Sequence, residues 1–188
     1  MSVEDTFTHF PRIETARLVL RQIRPGDAAA RYTTFSDPEV MAFYGEELHQ
    51  SVEESRAHIA AVDGWYARRE GIRWGVTLRG ADEVIGSCGF FNFDEGFHRA
   101  ELGYELQRAF WRQGIMREAL RAILSYGFAT MGLGRIEALV SGGNEASAAL
   151  LRALGFTLEG TLRQRIYLRD RFWDELYFGL LREEWRPD

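Results

Sequence analysis

The feature that most constrains the fold is an abrupt change of hydrophobic period in the middle of the chain. Three segments with strand-like alternation follow one another, at residues 73–79, 83–91 and 100–106. From Ile115 the apolar residues instead recur at helical spacing, and this pattern ends near residue 131. Alternation is typical of a strand with one buried face, and a period near 3.6 is typical of an amphipathic helix. The sequence therefore predicts three consecutive strands that lead through one short loop into a helix.

The segments on either side of this block indicate a mixed fold. One strand, a short helix that Asp27 can cap and two further helical segments precede it, and one strand, one helix and two strands follow it. The regular alternation of strands and helices that marks a doubly wound sheet is missing. The length suits one compact domain over residues 1–188. The outer segments are predicted at 18–23 (strand), 38–44 and 51–69 (helices), 135–140 (strand), 145–154 (helix), and 156–165 and 172–181 (strands).

Composition excludes several classes of function. The formal charge is −5 and the isoelectric point is about 5.5, so a general binder of the nucleic-acid backbone is not expected. All 23 basic residues are arginine, which removes Schiff-base chemistry, pyridoxal attachment and a Walker lysine. The one cysteine, Cys88, excludes a disulfide framework. Since no leader-like N-terminus and no apolar run of about 20 residues is present, we predict a cytoplasmic protein without membrane contact.

The loop that joins the third of these strands to the helix has the features of an anion site. It covers residues 107–113, and the helix begins at Gly114. The first N–H groups of a helix lack internal partners and carry partial positive charge, which attracts phosphate. Arg112 and Arg117 stand beside this end, and glycine lets the backbone approach a ligand closely. The same pattern also occurs in many α/β proteins without a ligand, so the local sequence leaves both interpretations open.

The sequence of this loop resembles that of a known family. Residues 110–119, FWRQGIMREA, resemble the acetyl-CoA loop of the GNAT family of N-acetyltransferases, in the RimJ/RimL-like branch that acetylates N-terminal amines of ribosomal proteins. Further motifs in the same order extend the resemblance over about residues 12–185. They are ETARLVLR at 14–21, IG at 85–86, AELGY at 100–104, NEAS at 144–147 and LGFTLEG at 154–160.

The resemblance implies a fold, a cofactor and a reaction. The fold is an α/β (α+β) domain with a twisted, mostly antiparallel sheet of six to seven strands and about four helices. Two central strands splay apart and hold acetyl-CoA, whose thioester is attacked directly by the acceptor amine. The backbone N–H groups at the end of the third strand are expected to meet the oxyanion. The cofactor-binding positions that the resemblance implies are Tyr104, Leu106, Arg112, Gln113, Gly114, Ile115, Met116, Arg117, Asn144 and Ser147.

The chain departs from the family pattern at two of these places. Arg112 stands where a glycine is usual, so its side chain must either avoid or contact the pyrophosphate. Leu151 stands where many relatives have a tyrosine that protonates the departing thiolate. A leucine cannot donate a proton, and Ser147 is therefore the candidate acid.

Two glutamates, Glu101 and Glu159, are the candidate general bases. At pH 7.4, deprotonation costs about 4 kcal/mol for a lysine but only about 0.5 kcal/mol for an α-amine, so a weak base suffices for a protein N-terminus. Each candidate catalytic or binding residue also has a structural interpretation. Glu101 has that of a surface carboxylate at a strand end, Glu159 that of a turn residue, Ser147 that of an exposed helix residue and Asn144 that of a helix cap.

The identity of the acceptor remains open. The branch implies the N-terminal α-amine of a protein, whereas other GNAT enzymes take a small amine such as a polyamine, an aminoglycoside or an amino-acid derivative. A third alternative is a non-catalytic acetyl-CoA-binding module. Relatives often form homodimers, and the segment 172–181 is a candidate edge for pairing. The four histidines show no ligand spacing, so no metal site is predicted.

Overall fold

The computed structural model describes residues 6–94 and 98–187, and these form an eight-stranded sheet. The strands are β1 (Ile13–Glu14), β2 (Leu18–Gln22), β3 (Gly71–Leu78), β4 (Val84–Asp94), β5 (Arg99–Leu106), β6 (Arg135–Ser141), β7 (Thr157–Leu168) and β8 (Arg171–Leu181). Their order in the sheet is β1-β2-β3-β4-β5-β6-β8-β7. The α/β (α+β) class with a mostly antiparallel sheet is confirmed. The predicted six to seven strands become eight, because β1 has only two residues and shows no alternation.

Within residues 6–94 and 98–187, four α-helices flank the sheet: α1 (Ala28–Phe35), α2 (Val52–Ala67), α3 (Ile115–Tyr126) and α4 (Glu145–Ala153). The predicted capping box opens α2, since the Ser51 hydroxyl accepts a hydrogen bond from the Glu54 N–H at 3.2 Å. The helical pattern that starts at Ile115 continues past Tyr126 as a π-helical turn over Gly127–Met131. Short 3-10 turns lie at Pro25–Asp27, Val40–Phe43 and Arg108–Phe110. None of the helices in the described part of the chain is long and apolar enough to cross a membrane.

The apolar stripe of α3 packs on the even-numbered residues of β4 and β5. Ile123 of the helix and Cys88 and Phe90 of β4 are at most 1% exposed and belong to one core. Burial raises the pKa of the Cys88 thiol, which is therefore a packed, protonated side chain rather than a nucleophile. The odd-numbered residues of the same strands point to the opposite face, where Arg31 of α1 reaches Ser87.

The two central strands β5 and β6 form the parallel pair of the sheet, and they soon separate. Their register runs only from Arg99–Arg135 to Glu101–Glu137. Beyond this point β5 stays hydrogen-bonded to β4 up to Leu106, while β6 stays bonded to β8 up to Ser141. A gap therefore opens between two strands that are each held from their outer side, and it exposes the backbone edge of β5 from residue 102 onward.

The strand at the outer edge of the sheet is not the one predicted to pair in a homodimer. The predicted pairing edge, segment 172–181, falls in β8, and β8 is hydrogen-bonded to β6 on one side and to β7 on the other. The chain turns back after β7, so that β8 lies between β6 and β7. The alternation of apolar residues within β7 and β8 carries no information about this order. The prediction is therefore wrong, and β7 is the outer strand at this end.

Candidate active site

The gap between β5 and β6 is the middle of a cleft of about 1730 Å³. At one end the cleft is lined by the loop before α3 and by the start of α4. At the other end it is lined by the 39–46 segment, the end of α2 and the last residues of β4. The splay thus connects a helix terminus on one side of the sheet with a separate chamber on the other. We refer to the second end as the acceptor end.

The loop before α3 presents a row of backbone donors to the cleft. The N–H groups of residues 112–117 form no hydrogen bond to any described residue, and the N–H of Glu118, bonded to the Gly114 carbonyl at 3.0 Å, starts the helical ladder. This twelve-residue helix adds the positive end of its dipole. Arg112 and Arg117 are exposed and line the same part of the cleft. Such an arrangement suits the phosphates of a nucleotide cofactor.

Two residues of this loop have a left-handed backbone. Gly114 has φ +73°, and Arg112 has φ +59°. Arg112 therefore adopts the conformation of the glycine that is usual at its position, which places strain of order 1 kcal/mol in the loop. Its side chain is exposed and lines the cleft, so the guanidinium can contact a phosphate that binds there.

Glu118 ties the loop to the start of the sheet. Its carboxylate accepts hydrogen bonds from the Thr15 hydroxyl at 2.6 Å, the Arg17 N–H at 2.9 Å and the Arg17 Nε at 2.6 Å. Arg17 also donates to the Gln113 carbonyl at 3.1 Å. These bonds fix the helix end in position before any ligand arrives, and sequence reasoning did not assign them.

The predicted cofactor-binding residues Ile115, Met116 and Gln113 differ in the groups that they present to the cleft. Ile115 and Met116 are buried in the core, so only their backbone N–H groups face the cleft. The Gln113 side chain donates to the Ala109 carbonyl at 2.9 Å and does not line the cleft. At the end of β5, the Leu106 carbonyl accepts a hydrogen bond from the Trp111 indole at 2.7 Å, which holds the strand end against the loop.

Tyr104 and Ser147 meet across the splay. Their hydroxyl oxygens lie 2.6 Å apart, one on β5 and one in the first turn of α4, and both side chains line the cleft. Burial raises the pKa of Tyr104 to about 12, so the phenol is protonated and can donate. Leu151, one turn farther along α4, is fully buried. A tyrosine hydroxyl therefore does enter this part of the cleft, although it comes from the strand rather than from the helix.

Asn144 caps α4 and keeps one free donor. Its side-chain oxygen accepts the Ser147 N–H at 3.1 Å, which matches the structural interpretation of this residue. Its side-chain nitrogen donates to no described residue and lies on the cleft wall. The cap fixes the orientation of that amide, and the nitrogen can still donate to the carbonyl of a bound ligand.

Glu101 lies at the acceptor end, next to the point where the strands separate. Its carboxylate is half-buried and accepts a hydrogen bond from the Asn92 side chain at 3.0 Å. Burial raises the pKa of this carboxyl above its usual range. A carboxylate with a raised pKa is a stronger base than an ordinary carboxylate.

Glu159, the second predicted base, is not brought to the cleft. It lies on the outer strand β7, and its exposed carboxylate is bonded to the guanidinium of Arg135. These bonds lower the pKa of Glu159, which weakens it as a base. The β7–β8–β6 register decides this placement, and the local turn sequence carries no sign of it.

A buried charge cluster lies at the wall of the cleft between Glu101 and the loop, and its members Arg73 and Glu105 line the cleft. Glu105 of β5 is bonded to both Arg31 and Arg73, and Ser87 donates to it at 2.5 Å. Desolvation disfavours the ionised carboxylate, but the two guanidinium groups prevail and hold the pKa of Glu105 down at about 2. The side chains of Arg31, Arg73 and Glu105 are 0%, 9% and 2% exposed. Sequence reasoning missed this cluster, and its one signal was an arginine inside an apolar strand pattern.

A splayed sheet with a helix-end anion site on one side and a chamber with a carboxylate on the other defines a class of acyl-transferring enzymes. Residues 17–157 match the family model of the acetyltransferase (GNAT) domain, and the chain belongs to that family. It is an acetyl-CoA-dependent N-acetyltransferase. Among the described residues, no three His, Cys, Asp or Glu side chains are grouped so as to hold a metal ion.

Relatives agree with this assignment along nearly the whole chain. The uncharacterised N-acetyltransferase YoaA of Bacillus subtilis is 40% identical over 92% of this chain and 98% of its own length. The crystal structure of a GNAT-family acetyltransferase from Bacillus anthracis has a TM-score of 0.83 at 29% identity and covers 93% of this chain and 100% of its own. The ribosomal protein uS5 alanine N-acetyltransferase of Escherichia coli is 26% identical over 94% of this chain and 93% of its own.

Proposed function

We propose that this enzyme acetylates the N-terminal α-amine of a protein. The observation that carries the proposal is Glu101, a carboxylate at the acceptor side of the splay to which no guanidinium of the described residues is bonded. Burial raises its pKa, and a carboxylate is a weaker base than an amine. A weak base suffices for an α-amine, which costs about 0.5 kcal/mol to deprotonate at pH 7.4, against about 4 kcal/mol for a lysine.

The acceptor end also suits a polypeptide. The cleft exceeds the roughly 300–1000 Å³ that one drug-sized ligand fills, which leaves room for two substrates. Its mouth carries the exposed carboxylates of Glu39 and Glu46 beside Arg69, whereas Glu70 is paired with Arg68 at 2.8 Å. The two carboxylates of Glu39 and Glu46 favour a basic chain. The relative from Escherichia coli that acetylates the alanine of uS5 supports the same class of acceptor.

The residues of the cleft suffice for direct transfer. The neutral amine attacks the thioester carbon, and Glu101 accepts the proton that the nitrogen loses, directly or through one water. The free backbone edge of β5 is the candidate donor to the oxyanion. When the tetrahedral intermediate collapses, the carbon–sulfur bond breaks and the sulfur keeps the electron pair. Ser147 then gives its proton to that sulfur and takes the proton of the Tyr104 hydroxyl in the same step. The proton that Glu101 accepted is released to solvent, and solvent returns one to Tyr104 before the next turnover.

Release of coenzyme A thiol, measured against a panel of acceptors, tests the proposal. The panel holds Ser- and Ala-initiated basic peptides, the same peptides with a blocked N-terminus and an internal lysine, spermidine and an aminoglycoside. We expect activity with the free N-termini alone. Activity confined to spermidine or the aminoglycoside would move the enzyme to the small-amine class. If the enzyme still binds acetyl-CoA but releases no coenzyme A thiol with any acceptor, the proposal is contradicted.

Glu101→Gln is expected to lower kcat by roughly 10- to 100-fold on an α-amine acceptor, because the amide cannot accept the proton. The pKa of Glu101 is raised, so kcat of the wild-type enzyme falls as the pH drops through that raised value and the carboxylate is protonated. This acid limb should be missing from the variant. Glu83→Gln, which changes an exposed carboxylate outside the cleft, is the matched control. An unchanged pH profile of kcat in Glu101→Gln would remove Glu101 as the base.

A further inference from the structure

We propose that Arg73 and Tyr44 form a carboxylate subsite at the acceptor end, and that the preferred protein N-terminus begins with an acidic residue. The inference rests on the proposed function for the amine and adds the chemistry of the first side chain. It starts from the charge balance of the cluster around Glu105.

The cluster contains one more buried positive charge than negative charge. Arg31 and Arg73 share one carboxylate, Glu105, and the Nε and Nη2 of Arg31 have no hydrogen-bond partner. A buried charge without a partner costs several kcal/mol. The unpaired positive charge therefore favours binding of an anion beside the cluster.

The neutral groups around the cluster do not change this balance. Burial and the two nearby guanidinium groups lower the pKa of His58 to about 4, so its ring is uncharged at neutral pH. Burial raises the pKa of Tyr44 to about 12 and that of Cys88 further still, so both keep their protons. Glu46 lies 3.9 Å from His58, and its side chain is 45% exposed to solvent, which screens its charge.

Arg73 is the member of the pair that faces the cleft. Its guanidinium donates to Ser87 at 2.7 Å and binds Glu105, while Arg31 lies outside the cleft wall. Gly103 on β5 has no side chain that could cover the guanidinium, and a Cβ at this position would stand 2.8 Å from the Phe91 ring. The remaining nitrogen of Arg73, Nη1, forms no hydrogen bond to a described residue. It lies 3.5 Å from where a Cβ of Gly103, itself a cleft residue, would stand.

Tyr44 supplies a second donor at the same place. Its hydroxyl oxygen accepts a hydrogen bond from Arg73 Nη2 at 3.2 Å. The hydroxyl proton is then directed away from the guanidinium, and no described acceptor takes it. A guanidinium nitrogen and a phenol proton side by side suit the two oxygens of a carboxylate.

The distance to the candidate base selects the acceptor. Glu101 and Gly103 are two residues apart on the same face of β5, so their Cα atoms are about 7 Å apart. An amine at Glu101 and an anion at Arg73 can therefore belong to one residue. An aspartate at the first position carries both groups, with only Cα and Cβ between its amine nitrogen and its carboxyl carbon, whereas spermidine has no anion to offer.

Calorimetric binding to the CoA-saturated enzyme tests the subsite without relying on turnover. The probes are two lysine-free peptides that differ only in the first residue, Asp or Asn. We expect the Asp peptide to bind about tenfold more tightly to the wild-type protein. In Arg73→Gln the ratio should fall to about one, and Glu105 keeps Arg31 as its partner, so the charges in the core remain balanced.

Two comparisons separate recognition from a structural role of Arg73. A structural role would weaken both peptides equally in Arg73→Gln, and that result, or equal binding of both peptides to the wild type, would overturn the inference. Tyr44→Phe removes one donor and no charge, and should lower the ratio about threefold. If the Asp peptide binds preferentially but neither peptide is acetylated, the subsite stands and the proposed function fails.

Discussion

Replacing Gly114 by aspartate is expected to weaken acetyl-CoA binding by roughly 1000-fold. The substitution places a carboxylate at the helix end whose free N–H groups face the cleft. At about 4 Å from a phosphate and an effective dielectric constant near 20, the repulsion is about 4 kcal/mol. The added Cβ meets only Arg17 Nη2 at 3.5 Å, an ordinary contact, so the side chain fits the loop.

Gly114→Asn is the matched control for this experiment. Asparagine has the same shape as aspartate and tolerates the positive φ of this position, but it carries no charge. Titration calorimetry with acetyl-CoA should show only a several-fold loss for the asparagine variant. Equal affinities for the two variants would mean that the phosphates do not bind at this helix end.

Removing the Ser147 hydroxyl is expected to lower kcat by about 100-fold and to leave acetyl-CoA affinity within a few fold. In Ser147→Ala the departing sulfur loses its proton donor, whereas the cap bond from Asn144 to the backbone N–H of residue 147 remains. Tyr104→Phe should lower kcat by about tenfold, because the serine then loses the partner that supports its donation. Single-turnover rates with saturating acetyl-CoA separate this effect from product release.

A double variant shows whether the two hydroxyls act as one unit. If they do, Ser147→Ala with Tyr104→Phe is no slower than Ser147→Ala alone. Ser125→Ala removes a partly buried hydroxyl that accepts a hydrogen bond from the Trp185 indole outside the cleft, and it is the control for loss of a serine hydroxyl. If the rate losses of the two single variants multiply in the double variant, Tyr104 acts independently of Ser147.

Most elements could be predicted because each carries its own local signal. The three consecutive strands β3, β4 and β5 show alternation of apolar and polar residues. Helix α2 begins with a capping box, and the loop before α3 has a motif that is specific to the family. The failures arise where the signal is not local. The two residues of β1 form a strand only because they pair with β2. The place of β8 inside the sheet depends on how the hairpin of β7 and β8 packs against β6.

The site divides in the same way. The loop residues around Gly114 follow from one short motif, and so does the cap at Asn144. The pair of Tyr104 with Ser147 joins β5 to α4, and the cluster of Arg31, Arg73 and Glu105 joins α1, β3 and β5. Such contacts are set by register and by helix placement, which periodicity in one segment cannot reveal.

The most direct test of the account is where the acetyl group goes on a peptide that offers both kinds of amine. A peptide with a free N-terminus and one internal lysine is incubated with enzyme and acetyl-CoA, and tandem mass spectrometry locates the label. The enzyme itself contains no lysine, so every acetyl-lysine detected belongs to the peptide. The account predicts acetylation of the α-amine, with the lysine at the level of an enzyme-free control. Acetylation of the lysine in preference to the α-amine would contradict it.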